Sequence, residues 1–97
     1  DWSKTIRMAE RSLPQLMCQP LPSCSWVNIN FPDTKPDDCA TAKLMETKLD
    51  PAPRPAQYTK MPDGKLLYCG VYNDRPRKRN HDADVCFSGN IAVTYHD

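Results

Sequence analysis

Residues 81–97, HDADVCFSGNIAVTYHD, decide the fold class. Ile91, Val93 and Tyr95 alternate along the run NIAVTY, the period-two pattern of a strand whose successive side chains point to opposite faces. Ser88 and Gly89 form a turn before it, with Gly89 placed to take a positive φ that other residues resist. Upstream of the turn lies ADVCF, a short apolar piece. A strand entered through a glycine turn from a short apolar segment belongs in a sheet, so the search outward is for the strands and helices that complete one.

The strongest of these is SWVNINF, residues 25–31. Val27, Ile29 and Phe31 share one face and Trp26, Asn28 and Asn30 the other. Two asparagines on one face of an apolar strand point to polar backbone or a cleft. Pro32 ends the strand and DTKPDD makes a turn. Trp2, Ile6, Ala9, Leu13 and Leu16 recur at helical spacing, which predicts a helix with that face buried. Asp1 or Ser3 can cap its start. Pro14 removes a backbone donor, which predicts an end near Leu13. Residues 14–24, PQLMCQPLPSC, then read as a proline-broken connection.

Residues 40–49, ATAKLMETKL, satisfy both helix propensity and a strand alternative with Lys43, Met45, Thr47 and Leu49 on one face. PDG at 62–64 reads as the turn of a hairpin, with KLLYCGVY at 65–72 as its second strand. Gly70 inside that strand suggests a bulge or a close backbone approach. NDRPRKRNHD follows as a polar loop. The order is one helix followed mainly by strands with an extended hairpin, an α/β fold, and no internal repeat is visible.

The bulk numbers limit what such a chain can do. Its 97 residues make one domain at most, and a domain this small buries roughly 60–65% of the surface its unfolded chain exposes. Ten prolines, 39% hydrophobic residues and a mean hydropathy of -0.70 imply a thin core that leans on a partner surface or belongs to a longer protein. A net charge of +1 gives no global pull toward nucleic acid or membrane, and no apolar run reaches the roughly 18 residues needed to cross a bilayer. Five cysteines, at 18, 24, 39, 69 and 86, cannot all pair within the chain. Free thiols in a reducing, cytoplasmic setting fit best, with Cys69 and Cys86 as small apolar residues. Cys18 and Cys24 are the pair to expect if the protein is secreted.

Few residues carry chemistry. Arg75, Arg77, Lys78 and Arg79 form the densest positive run, an anion or nucleic-acid contact on one reading and a solvated loop on the other. Asp74, Asp82 and Asp84 flank it and offset its field. His81, Asp82, Asp84, His96 and Asp97 are metal-type ligands, but their spacing matches no metal motif. There is no CxxC pair, no glycine-rich phosphate loop and no general-acid pair. Tyr58, Tyr68, Tyr72 and Trp26 read as packing on sheet faces. These residues supply no catalytic and no metal site.

Two segments carry a resemblance. WVNINFP, residues 26–32, resembles the "LNVNIP" strand of the SurE family of survival-protein 5'-nucleotidases, and HDADVCFSGNIAVTYHD resembles that family's "TDxxAVxxGYVSITPL" element. Asp82 matches the motif aspartate, Gly89 its glycine, and Ile91, Val93 and Thr94 the final strand, with Asn28 and Asn30 in the first motif. Thr47 and Lys48 echo a "TR" pair, and Asp63-Gly64 a turn before the strand Leu66 to Tyr68. His81 and Tyr95 depart from the pattern. The resemblance implies residues 1–97 as the carboxyl-terminal portion of a three-layer α/β sandwich that hydrolyses nucleoside monophosphates with a divalent metal (Mg or Mn). The family's metal-binding aspartates, serine and asparagine precede the matched region, so no catalytic residue carries over. The implied partner is the missing amino-terminal part of the fold, or another subunit; a free-standing scaffold module using the basic loop is the other reading.

Overall fold

In the computed structural model the described residues are 2–23, 26–53, 56–71 and 76–97, with Pro36 described in its backbone only. Among them the last strand is the centre of the fold. This strand, β5 (Ile91–His96), lies between β1 (Trp26–Asn30) and β2 (Leu44–Glu46). β1 runs antiparallel to it, with Ile29 opposite Val93 and Asn28 opposite Thr94, and β2 runs parallel, with Leu44 beside Ile91. A central strand is flanked on both edges, and residues 91–94 are all buried. The ladder extends beyond β2, where the Thr47 N–H donates to the Val93 carbonyl at 2.8 Å.

The 40–49 stretch therefore resolves toward strand, but only over three residues. A 3-10 helix over Pro36–Ala40 occupies the turn expected at DTKPDD and its end. Parallel pairing to a strand so well buried outweighs the helix propensity of Lys43–Glu46. Met45 and Thr47 share a face, and the Thr47 hydroxyl lies 3.1 Å from that of Thr94.

The first helix, α1 (Ser3–Met17), runs straight past Pro14. The expected stop near Leu13 is wrong because the buried face lies elsewhere. Met8, Ser12 and Leu16 point inward, one turn apart, and packing at Leu16 holds the last turn in place although Pro14 cannot donate its N–H. The Cys18 N–H reaches the Pro14 carbonyl at 3.1 Å and closes that turn. Of the predicted apolar face only Leu16 is buried; Trp2, Ile6 and Leu13 are exposed. Trp2 is the N-cap residue, without a side-chain cap bond, so Ser3 does not cap the helix and Asp1 lies outside the described residues.

Met8 packs with Cys39, Ala42 and Ile91, and Ile29, Phe31 and Leu44 close around them. This is a small core. The helix is also tied down by polar contacts: Lys4 bridges the Asp33 carboxylate and the Thr34 carbonyl, each at 2.7 Å, and the Arg11 guanidinium donates to the Ala40 and Ala42 carbonyls.

ADVCF, the short apolar piece, is helical. Asp82–Phe87 form a short helix, α2, with Asp82 and Asp84 in its first turn, where the exposed N–H groups favour carboxylates. Gly89 then turns the chain into β5 at φ +87°, as expected.

The hairpin is present, but short. β3 (Tyr58–Lys60) pairs antiparallel with β4 (Leu66–Tyr68), and the PDG turn carries Gly64 at φ +85°. All six strand residues are exposed. The expected strand over 65–72 thus shrinks to three residues; Gly70 lies beyond it, and Tyr72 is outside the described residues. Because this hairpin stands off the main sheet, Cys69 is exposed rather than an apolar core thiol. The result is a mixed α/β fold of two helices and five strands in two small sheets among the described residues. Its radius of gyration is 16.4 Å, whereas a compact domain of this length has about 12.5 Å.

Candidate functional site

The positive run sits on a loop whose backbone is held by carboxylates. Asp50 is buried, and its Oδ2 accepts the Lys78 N–H at 2.9 Å while its Oδ1 accepts the Ala52 N–H at 2.9 Å. The Asp82 Oδ1 accepts the N–H of Asp50 at 2.7 Å and that of Ala83 at 2.9 Å. Asp84 Oδ2 accepts the Asn80 N–H at 3.0 Å, which supports Asn80 at a φ of 62°. The Asp82 N–H donates to the Lys48 carbonyl at 2.9 Å. Residues 48–50 and 78–84 are thereby cross-linked into one unit, and Asp82, the aspartate of the resemblance, stands at its centre.

On this unit Arg77, Lys78 and Arg79 are exposed, and the Arg77 guanidinium lies 5.1 Å from the centroid of the Phe87 ring, a cation–π contact. Arg75 lies outside the described residues. Lys48, Arg79, Asn80 and His81 line an open pocket of about 490 Å³ with Glu46 and Thr47. His81 Nδ1 is 3.0 Å from the Arg79 carbonyl. The pocket can meet an anion electrostatically, and Glu46 opposes part of that pull. Sequence reading found the cations and missed Asp50. A buried aspartate followed by a proline-rich stretch gives no periodic signal, and nothing in DPAPRPAQ marks it as the anchor of a loop some 28 residues on.

Asn28 and Asn30 are half-buried on the sheet face they share with Trp26, Thr94 and His96. Trp26 stacks on His96 with ring centroids 3.9 Å apart, so His96 is in an aromatic pair, while His81 forms a parallel bridge with Lys48. Tyr58 and Tyr68 meet edge to face at 5.5 Å across the hairpin. Gly89 serves the turn: an added Cβ would find the nearest atom, Thr34 Cγ2, at 3.9 Å, so backbone conformation rather than space demands glycine there.

A divalent metal needs several oxygen donors converging on one point. Asp50 accepts backbone N–H groups at both oxygens, and Asp82 and Asp84 at one oxygen each; among the described residues no group of three or more His, Cys, Asp or Glu side chains is arranged to hold an ion. The described residues do not fit the metal that the resemblance implies, and no chemical step is derived through it. The described cysteines 18, 39, 69 and 86 are free thiols; Cys24 lies outside the described residues, and with it the pairing considered for Cys18. Burial, and secondarily the charge of Asp82, push the Cys86 thiol pKa up, away from nucleophilic use. No helix among the described residues is long and apolar enough to cross a membrane.

No family model matches the chain. Two curated proteins do, both named putative 5'-nucleotidase. The one from Nostoc sp. is 32% identical over 94 residues, 97% of this chain and 41% of that protein. The one from Synechocystis sp. is 34% identical over 95 residues, 97% of this chain and 41% of that protein. The chain therefore spans about two fifths of the length of the curated relatives it matches.

Proposed function

We propose that this chain, a SurE-like sequence akin over almost all of its length to proteins named putative 5'-nucleotidases, is the non-catalytic carboxyl-terminal part of a metal-dependent nucleoside monophosphate phosphatase. The observation that carries the reading is the pairing of two proportions: nearly all of this chain matches less than half of each relative. Phosphate-ester hydrolysis needs an activated nucleophile and stabilisation of charge on the transferring group, whereas Asp50, Asp82 and Asp84 accept backbone N–H groups. The rest of the fold supplies the divalent cation (Mg or Mn) and its ligands. This part contributes the β1-β5-β2 sheet and, through the exposed β3–β4 hairpin, contacts between subunits. The complete protein is a three-layer sandwich in which the present sheet continues.

The test compares two polypeptides. The complete protein is expected to release phosphate from nucleoside monophosphates with added Mg or Mn and to stop on chelation. Residues 1–97 alone are expected to stay at background. Metal-dependent turnover by residues 1–97 alone would sink the reading, as would inactivity of the complete, folded protein.

A second reading is favoured by the exposed Arg77–Arg79 run on its carboxylate-held loop: a free-standing scaffold module that binds an acidic partner. It requires salt-sensitive binding to an acidic polymer that weakens when Arg77 and Arg79 become alanine; binding indifferent to those changes removes it.

A further inference from the structure

α1 carries a second apolar face. At about 100° per residue, Trp2, Ile6, Ala9, Leu13 and Met17 fall within an arc of about 80°, beside the arc of Met8, Ser12 and Leu16 that enters the core. Ala9 is half-buried; the large members are open, with exposures of 76% at Trp2, 53% at Ile6, 36% at Leu13 and 81% at Met17. A stripe of this kind running the length of a helix is the pattern of a face packed against another layer.

The area of the chain points the same way. It exposes 7329 Å², while a folded monomer of this mass exposes about 5,650 Å². The excess is about twice the roughly 800 Å² that each partner buries in a standard stable interface. Part of it lies on the hairpin and part on this helix. The relatives have the material to cover it, since more than half of their length has no counterpart in this chain.

We propose that the Trp2–Ile6–Leu13–Met17 stripe is the seam on which the remaining part of the same polypeptide docks, through an apolar face of its own. The inference rests on the proposed function for the existence of that part. It adds the surface used: α1 packs on the β1-β5-β2 sheet through Met8 and meets the remainder of the fold through the adjacent stripe. The exposed Arg7 and Glu10 mark the water-facing side of the helix.

Ile6→Cys and Leu13→Cys, each made in the polypeptide in which this sequence is naturally encoded, test it. Alkylation is followed by peptide-resolved mass spectrometry, with Arg7→Cys as the water-facing control. The expected result is alkylation about tenfold or more slower in the native protein than in the denatured one at positions 6 and 13, with position 7 fast in both. Native rates at 6 and 13 that match position 7 overturn the proposal. Protection that disappears on dilution to the monomer also overturns it, because a second copy is then the occupant. If mass measurement shows residues 1–97 to be the whole natural polypeptide, both this seam and the proposed function fall. If positions 6 and 13 are protected and the complete protein hydrolyses no nucleotide, only the proposed function falls.

Discussion

The buried carboxylate of Asp50 accepts the backbone N–H of Lys78 at 2.9 Å, joining the end of the β2 segment to the basic loop. Asp50→Ala leaves the Lys78 and Ala52 N–H groups without this acceptor, at a cost of about 1–3 kcal/mol. Urea denaturation is expected to show that loss. Hydrogen exchange is expected to quicken at Lys78 while Val93, in the centre of the sheet, keeps its protection relative to global stability. An unchanged denaturation midpoint together with unchanged exchange at Lys78 would remove Asp50 as the anchor.

Gly89 tests the turn that the sequence made visible. A Cβ in the left-handed region costs about 1–2 kcal/mol, and there is room for the atom itself. Gly89→Ala is therefore expected to lose about that much stability, and Gly89→Asn less, since asparagine tolerates positive φ better. Equal effects of the two substitutions would point to crowding rather than to φ.

These two positions show what could be read and what could not. Gly89 was legible because a glycine before an alternating apolar run has one common explanation. The strand after it was legible for the same reason, as was β1 with its two faces. Asp50 was not, because its partner is distant in sequence and its role depends on burial. The α1 periodicity was legible and its use was not. Two apolar arcs lie side by side on that helix, and sequence spacing cannot say which one enters this core and which stays open. The stretch 40–49 was ambiguous because propensity and pairing disagree there, and the parallel neighbour β5 decided it for Leu44–Glu46.

The small core makes Met8 a sensitive position. It is 1% exposed and touches the cluster of Cys39, Ala42 and Ile91. Met8→Ala is expected to cost about 2–5 kcal/mol, measured by denaturation of the natural polypeptide. Ile6→Ala on the same helix serves as the comparison. If the seam is packed, Ile6→Ala also destabilises the natural polypeptide; if the stripe faces water, only Met8→Ala does.

The Lys4–Asp33 pair sets a dependence on acid. Hydrogen bonding and the charge of Lys4 hold the Asp33 carboxyl below the ordinary aspartate value. A carboxyl depressed in the folded state contributes stability above its unfolded pKa, and that contribution is lost as pH falls through the folded value. NMR titration is expected to find the Asp33 pKa low, and Lys4→Met to return it toward the ordinary range. Full exposure of Asp33 keeps the effect on stability small, so the titration is the better measurement. An Asp33 titration indifferent to Lys4→Met would refute the pairing in solution.

Thiol chemistry separates the core from the hairpin. Cys39 is buried and Cys86 half-buried, while Cys18 and Cys69 are exposed. Alkylation of the native protein is expected to mark Cys18 and Cys69 before Cys86, with Cys39 last. Raising the pH should accelerate Cys86 only at values above those effective for the same peptide after denaturation, because burial and Asp82 disfavour its thiolate. The sign for stability follows: a thiol raised in the folded state stabilises below its unfolded pKa, and that contribution is lost as pH rises through the folded one. Asp82→Asn removes the secondary cause and is expected to lower the Cys86 value slightly while weakening the bond to the Asp50 N–H. Equal alkylation rates for Cys39 and Cys69 in the native protein would mean that the cluster around Met8 and Ile91 does not form.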